Sequence, residues 1–224
     1  KIMDWCRQSR TRHDRELIEF HSDGGGEFVN EKLANFFRQT GTHQTTTVAH
    51  TPQHNGKAER LIRTLTEWAN AILTTAGAAK KFWPYAIATA MYTRNITQIC
   101  KRPSPSDSNS IPMTPRQRWL NLSRPPSVDH MRVFGCDADV LYTVSPGLKL
   151  KKLTKKSRLC MFLGYDEDKN DAWRFYDPST RTVFSSRDAT FYEDQFTVSQ
   201  SVRLEEQGAD EGDESEDDTD YFTR

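Results

Sequence analysis

The stretch HTPQHNGKAERLIRTLTEWANAILTTAG, residues 50–77, governs how the rest of the chain is read. In its second half, Ala58, Leu61, Ile62, Leu65, Trp68, Ala69, Ile72 and Leu73 recur at helical spacing and make one apolar stripe. That predicts a long helix from about Lys57 to Thr75, with Gly77 as its stop. Its first half resists helix formation, because PQHNG, from Pro52 to Gly56, must turn. Glu59 therefore stands at the start of a helix, beside a loop.

Upstream, LIEFHSD reads as a short buried strand, with Leu17, Ile18 and Phe20 apolar, running into the glycine loop Gly24 to Gly26. EFVNEKLANFFRQTG places Phe28, Leu33, Phe36 and Phe37 near helical spacing, with Gly41 where a helix would stop. A β-branched run predicts a strand from Thr45 to Ala49. Residues 1–10 read as the end of a helix, followed by a polar turn from Ser9 to Asp14. Asp23 thus sits where a strand meets a loop.

Downstream, Trp83, Ile87, Ala90 and Met91 predict a second helix from about Phe82 to Asn95. KRPSPSDSNSIP, residues 101–112, has the composition of a linker. Thr114 is a candidate N-cap, with Pro115 at the first helical position. From Met131 the pattern changes to short strands, RVFGCDADVLY, RLCMFLGY, AWRFYD and TVFSSRDATFY, separated by turns such as DEDKND and DPSTRT. The expected organisation is an α/β unit over residues 1–100, a linker with a short helix over 101–130, a small all-β, barrel-like module over 131–196, and a disordered acidic tail over 197–224.

The chain has 224 residues and a net charge of zero, which conceals a split. From Arg203 to Arg224 there are ten acidic and two basic residues, leaving 29 basic against 21 acidic in positions 1–202. A body at +8 suits a polyanionic partner such as nucleic acid. No run of about 18 apolar residues is present, so no membrane span is expected. The chain opens on Lys1 without a signal-type apolar stretch, and it is expected to be a piece of a longer protein. Cys6, Cys100, Cys136 and Cys160 form no C-x-x-C pair, which disfavours a zinc site or a disulfide framework and favours reduced thiols inside a cell. Trp68, Trp83, Trp119 and Trp173 read as core residues.

Thirty-five residues lie between Asp23 and Glu59, a spacing that by itself says little. Their flanks say more. HSDGGGEF and HTPQHNGKAER resemble the blocks around the second metal-binding Asp and the metal-binding Glu of retroviral-type integrases, in the copia-type retrotransposon branch. Gly24, His54 and Lys57 depart from the usual residues of those blocks, but no carboxylate is lost. TPRQRW, HMRVFGCDADV, CMFLGYDED and WRFYDPSTRTVFSSRDATFYED resemble the downstream module of the same integrases, so the resemblance covers about residues 1–196.

The resemblance implies a partial RNase H-like core and a polynucleotidyl transferase that processes and joins DNA 3′ ends, with Asp23 and Glu59 as catalytic ligands of Mg²⁺ or Mn²⁺. In-line attack on a phosphodiester is served by two divalent cations about 4 Å apart, held by hard carboxylate oxygens. It also implies a first catalytic Asp on an earlier strand. Only Asp4 and Asp14 precede Asp23, and these read as a helix-surface and a turn residue, so this chain alone is expected to be inactive. The alternative is an inactive remnant that binds DNA or self-associates. An RNase H-type nuclease and a purely structural segment are further rivals, the first disfavoured by the block leading to Glu59.

Candidate DNA contacts are Gln53, His54, Asn55 and Gly56 in the loop, Lys57, Arg60 and Arg63 on the helix, and Lys149, Lys151, Lys152, Lys155, Lys156 and Arg158 in a basic run. His50 and His54, four apart but split by Pro52, make a poor metal pair. The expected partners are element-end and target DNA, with a homo-oligomer in the full-length enzyme and no membrane. The expected location is the nucleus or a virus-like particle.

Overall fold

A computed structural model describes residues 1–46, 56–99, 112–141, 156–169 and 172–210. The architecture is mixed α/β, divided into two compact units, Lys1–Thr64 and Leu65–Arg224. The division does not fall at residue 100, where the linker composition places it. The long helix α3 (Gly56–Ala76) begins in the first unit, while its buried residues Ala69, Leu73 and Ala76 belong to a core of the second. Side-chain packing, not the start of a helix, sets this boundary.

In the first unit, α1 (Ile2–His13) extends through the stretch expected to turn, and the reversal waits until Asp14. Asp14 takes the left-handed conformation at φ 50°, its N–H donates to the Arg10 carbonyl and the Arg15 N–H donates to the Ser9 carbonyl. Strand β1 (Glu19–Ser22) pairs in parallel with β2 (His43–Thr46), in the register Glu19 to His43 and His21 to Thr45. Parallel neighbours require a crossover, and α2 (Glu31–Thr40) provides it. Asn30 caps α2 by accepting from the Leu33 N–H, and Gly41 ends it at φ 72°. Phe20 lies against Phe37, ring centroids 5.0 Å apart, under this helix. Ile18 was expected in that core but is 82% exposed, since it precedes the paired strand.

The second unit joins α3 from Leu65 onward to α4 (Trp83–Thr97), the short α5 (Pro115–Trp119), a five-stranded antiparallel sheet and α6 (Thr197–Asp210). The sheet strands are β3 (Asp137–Leu141), β4 (Ser157–Asp166), β5 (Ala172–Asp177), β6 (Thr182–Ser186) and β7 (Ala189–Tyr192), in the spatial order β6-β5-β4-β3-β7. The single expected run TVFSSRDATFY is thus two strands, at opposite ends of the sheet, joined only by Arg187 and Asp188. In a flat sheet those ends would lie about 19 Å apart, four strand spacings. The link reaches only about 11 Å. The sheet must therefore curl on itself, which makes the module barrel-like.

Thr114 caps α5 through the Gln117 N–H, with Pro115 at the first position, as the sequence implies. One core gathers Ala69, Leu73, Ala76 and Phe82 with Met161, Leu163, Tyr176, Val198 and Val202. A second lies within the sheet around Cys136, Val140, Cys160, Phe162 and Phe175. Cys136 and Cys160 are free and buried, and burial pushes each thiol up to about 12. The tryptophan expectation fails at Trp68, Trp83 and Trp119, which are 37%, 58% and 39% exposed, whereas Trp173 is half-buried against the sheet core. On α3 and α4 the buried positions are the smaller neighbours, among them Ala69, Ala86 and Ala90, which let the backbones approach closely.

The tail expectation is corrected over residues 197–210, which form α6. Val198 and Val202 are 5% and 3% exposed, so an apolar pair four apart gives this acidic segment something to bury. Residues 211–224 lie outside those described. Among the described residues, no helix is long and apolar enough to cross a membrane.

Candidate active site

Asp23 directly follows β1, exposed, at the entrance to the glycine loop. Its Oδ1 accepts from the Gly25 N–H at 3.4 Å, a local Asx-type turn that starts the reversal. The Phe28 and Val29 N–H groups then bond to the Gly25 carbonyl at 2.9 and 3.0 Å, closing the turn into α2. A Cβ on Gly25 would meet the Glu27 carboxylate at 2.8 Å, whereas nothing lies within 4 Å of such an atom at Gly24 or Gly26. The loop beside Asp23 thus has open backbone.

Glu59 is exposed in the first turn of α3. A carboxylate there is favoured by the partial positive charge of the helix N-terminus. Asp23 and Glu59 belong to the same compact unit, on different elements. Among the described residues, no group of three or more His, Cys, Asp and Glu side chains comes together to hold a metal ion. Asp4 lies on the surface of α1, bonded to Arg7 at 3.2 Å, and Asp14, expected as a turn residue, is the cap that ends that helix.

The strand contributes neighbours that the motif reading passed over. Thr45 on β2 donates to Glu19 Oε1 at 3.2 Å and its hydroxyl lies 2.9 Å from His21 Nδ1. Glu19 and His21 alternate along β1, so the period of a strand sets them on one face, and Asp23 follows directly after the strand. That alternation was visible in EFHSD. The pairing with Thr45, 24 residues on from His21, was not.

The expected DNA contacts divide into three groups. Gly56 opens α3, Lys57 lies within it, and Arg63 is exposed on it. Arg60 folds back, its Nε donating to the Gly56 carbonyl at 2.8 Å. Lys156 is exposed just before β4, whereas Arg158 is held inside the module. Its guanidinium bonds to the Asp177 carboxylate at 2.6 Å and lies 3.9 Å from the Phe184 ring centroid. Burial raises the Asp177 carboxyl, but Ser179, Thr180 and Arg158 outweigh this and hold it below the ordinary range. Arg158 thus anchors β4 to β5 rather than sitting on a solvated loop. Gln53, His54, Asn55, Lys149, Lys151, Lys152 and Lys155 lie outside the described residues, as do His50 and Cys100.

Residues 140–205, from β3 into α6, match the family described as the retroviral polymerase SH3-like domain. A retrovirus-related Pol polyprotein from transposon TNT 1-94 of Nicotiana tabacum is 35% identical over 184 residues, which is 81% of this chain and 13% of that protein. The Pol polyprotein from transposon RE1 of Arabidopsis thaliana is 36% identical over 188 residues, 84% of this chain and 12% of that one. The chain belongs to the retrovirus-related Pol polyproteins of retrotransposons. The resemblance to copia-type integrases read from the motifs is borne out by these relatives. The chain spans about an eighth of their length. Among solved structures, it is similar to the catalytic core domain of BIV integrase at 23% identity and a TM-score of 0.34, over 54% of this chain and 69% of that one.

Proposed function

We propose that this integrase region serves metal-dependent DNA integration, the trimming of element DNA ends and their joining to target DNA. The observation that carries the reading is that Asp23 and Glu59, the carboxylates inside the two integrase-like motifs, share one compact unit, one after β1 and one in the first turn of α3. Both are exposed hard-oxygen donors, the kind of ligand Mg²⁺ or Mn²⁺ takes, so the donor set fits as part of a site. When bound, such ions polarise a phosphodiester towards attack by water or a 3′-hydroxyl. Asp23 and Glu59 would hold the ions. Arg63 and Lys156, both exposed, would contact DNA phosphates and make binding salt-sensitive. The partners are element-end and target DNA. The assembly is a homo-oligomer in the full-length polyprotein product, located in the nucleus or a virus-like particle.

A second reading is a segment that binds DNA or self-associates without turnover. It is favoured by the absence, among the described residues, of any group of three or more ligating side chains. Calorimetric titration of Mn²⁺ into the full chain, followed by a strand-transfer assay on a labelled DNA end, separates the two. Mn²⁺ uptake is expected and should be lost in Asp23→Asn and Glu59→Gln. Equal uptake by the double variant would refute the metal assignment. Turnover abolished by Glu59→Gln would exclude the inactive reading.

A further inference from the structure

Four sequence blocks carry the resemblance beyond the core, and the integrase reading assigns them no task. They meet at one place in the second unit. Arg116 comes from TPRQRW, His130 from HMRVFGC, Glu167 from CMFLGYDED and Trp173 from WRFYDPST, and together with Tyr92 of α4 and Lys169 they line a half-enclosed cavity of about 350 Å³. We infer that this cavity binds one unpaired nucleotide of single-stranded DNA, its base against the aromatic wall and its phosphate on Arg116 and Lys169. The inference rests on the DNA-handling function proposed above.

The wall is set before any ligand arrives. Tyr92 stacks on the buried Tyr165, ring centroids 4.0 Å apart and 19° from parallel. The Tyr92 hydroxyl lies 2.6 Å from His130 Nε2, and Trp173 Nε1 donates to the His130 carbonyl at 3.1 Å. Three aromatic side chains from separate segments are thereby fixed at one site. A flat π-surface accepts any base, provided the base has left its own stack. The volume falls within the range of small-molecule sites, roughly 300–1,000 Å³.

The rim selects the charge of the ligand. The Arg116 guanidinium lies over the Tyr92 ring, 5.5 Å from its centroid, and pairs with Glu167 at 3.2 Å. The Glu167 side chain is 63% exposed, so it can swing away from an ion pair of little energetic weight while the aromatic shelf keeps Arg116 in place. Asp166 already accepts from Ser185 at 2.5 Å, Arg174 at 3.2 Å and the Asp168 N–H at 3.3 Å. Lys169, at 3.9 Å, is its most distant partner and is 64% exposed. Two cations with exchangeable partners border the aromatic wall. A phosphate offers a guanidinium the paired acceptors that suit its fork.

The test measures binding of the full chain, in EDTA, to a labelled oligo-dT single strand and to a hairpin duplex. Arg116→Gln is expected to weaken single-strand binding roughly tenfold. Arg118→Gln removes the same charge from an exposed position on the same helix and should cost no more than about twofold. Lys169→Gln, on an exposed side chain, should weaken the same binding, and Glu167→Gln should strengthen it where the exposed control Asp194→Asn does not. Duplex binding should fall alike with Arg116→Gln and Arg118→Gln. Equal losses of single-strand binding in those two variants would overturn the inference. So would a polyglutamate peptide that competes for the site more strongly than dTMP, which would make it an acidic-peptide pocket. Repeating the measurement in the Asp23→Asn, Glu59→Gln double variant keeps its outcome independent of the metal site.

Discussion

Gly135 shows how one residue can hold two layers of the molecule together. Its φ is +81°, a conformation that strains any residue with a side chain, and a Cβ there would sit 2.4 Å from the Ala76 Cβ at the end of α3. Gly164 repeats the device at φ +105°, with Thr89 of α4 only 2.2 Å from such an atom. Helix and sheet pack at these points because neither glycine projects anything between them. Gly135→Ala is expected to cost about 2–4 kcal/mol, combining backbone strain with overpacking. Urea denaturation of the full chain would measure it, and a loss below half a kilocalorie would mean the contact relaxes freely. GC in VFGCD could have been read as a bulge or a close approach, but its partner Ala76 lies 59 residues earlier in the chain and no local pattern links them.

At the scale of an element, the informative case is α6. An acidic segment was expected to stay disordered, yet Asp137 on β3 is 1% exposed and its carboxylate points at the helix start. Oδ2 accepts from the Thr197 N–H at 3.0 Å and from the Thr197 hydroxyl, and Oδ1 accepts from the Val198 N–H at 3.0 Å. A carboxylate from a distant strand therefore does the work of an N-cap, and it also opposes the positive end of the helix dipole. Asp137→Ala would leave two backbone donors unpaired beside a buried surface, at an expected cost of about 2–4 kcal/mol. Limited proteolysis should then cut within the helix Thr197–Asp210, which is expected to resist in the parent chain. Unchanged protection of that helix would show that Val198 and Val202 alone hold it.

At the scale of the whole molecule, the apolar core is unevenly shared. Among the described residues of Lys1–Thr64, only Leu33 and Phe37 are buried hydrophobics, and the sheet there has two strands. Its two strands, α1, α2 and the start of α3 bury few apolar side chains, whereas the second unit has two cores and a five-stranded sheet. Hydrogen exchange followed by mass spectrometry is expected to find the amides of β1 and β2 exchanging well before those of β4 and β5. Equal protection of the two sets would contradict a division at Thr64. The same imbalance places Asp23 and Glu59 on the unit with fewer buried apolar side chains, and the aromatic cavity on the better-packed one.

The sequence by itself determined the local elements and the candidate chemistry. Asn30, Gly41, Thr114, Pro115 and Gly77 mark helix ends through φ preferences and caps that act over a few residues. The motifs around Asp23 and Glu59 likewise name their carboxylates within short windows. Only the tertiary structure decided that TVFSSRDATFY splits across a curled sheet, that α6 docks on Asp137, that Arg158 serves Asp177, and that four separate blocks enclose one cavity. Each of these joins residues far apart in the chain. Such pairings are fixed by closure of the sheet, burial of apolar surface and satisfaction of buried charge, none of which a local pattern encodes.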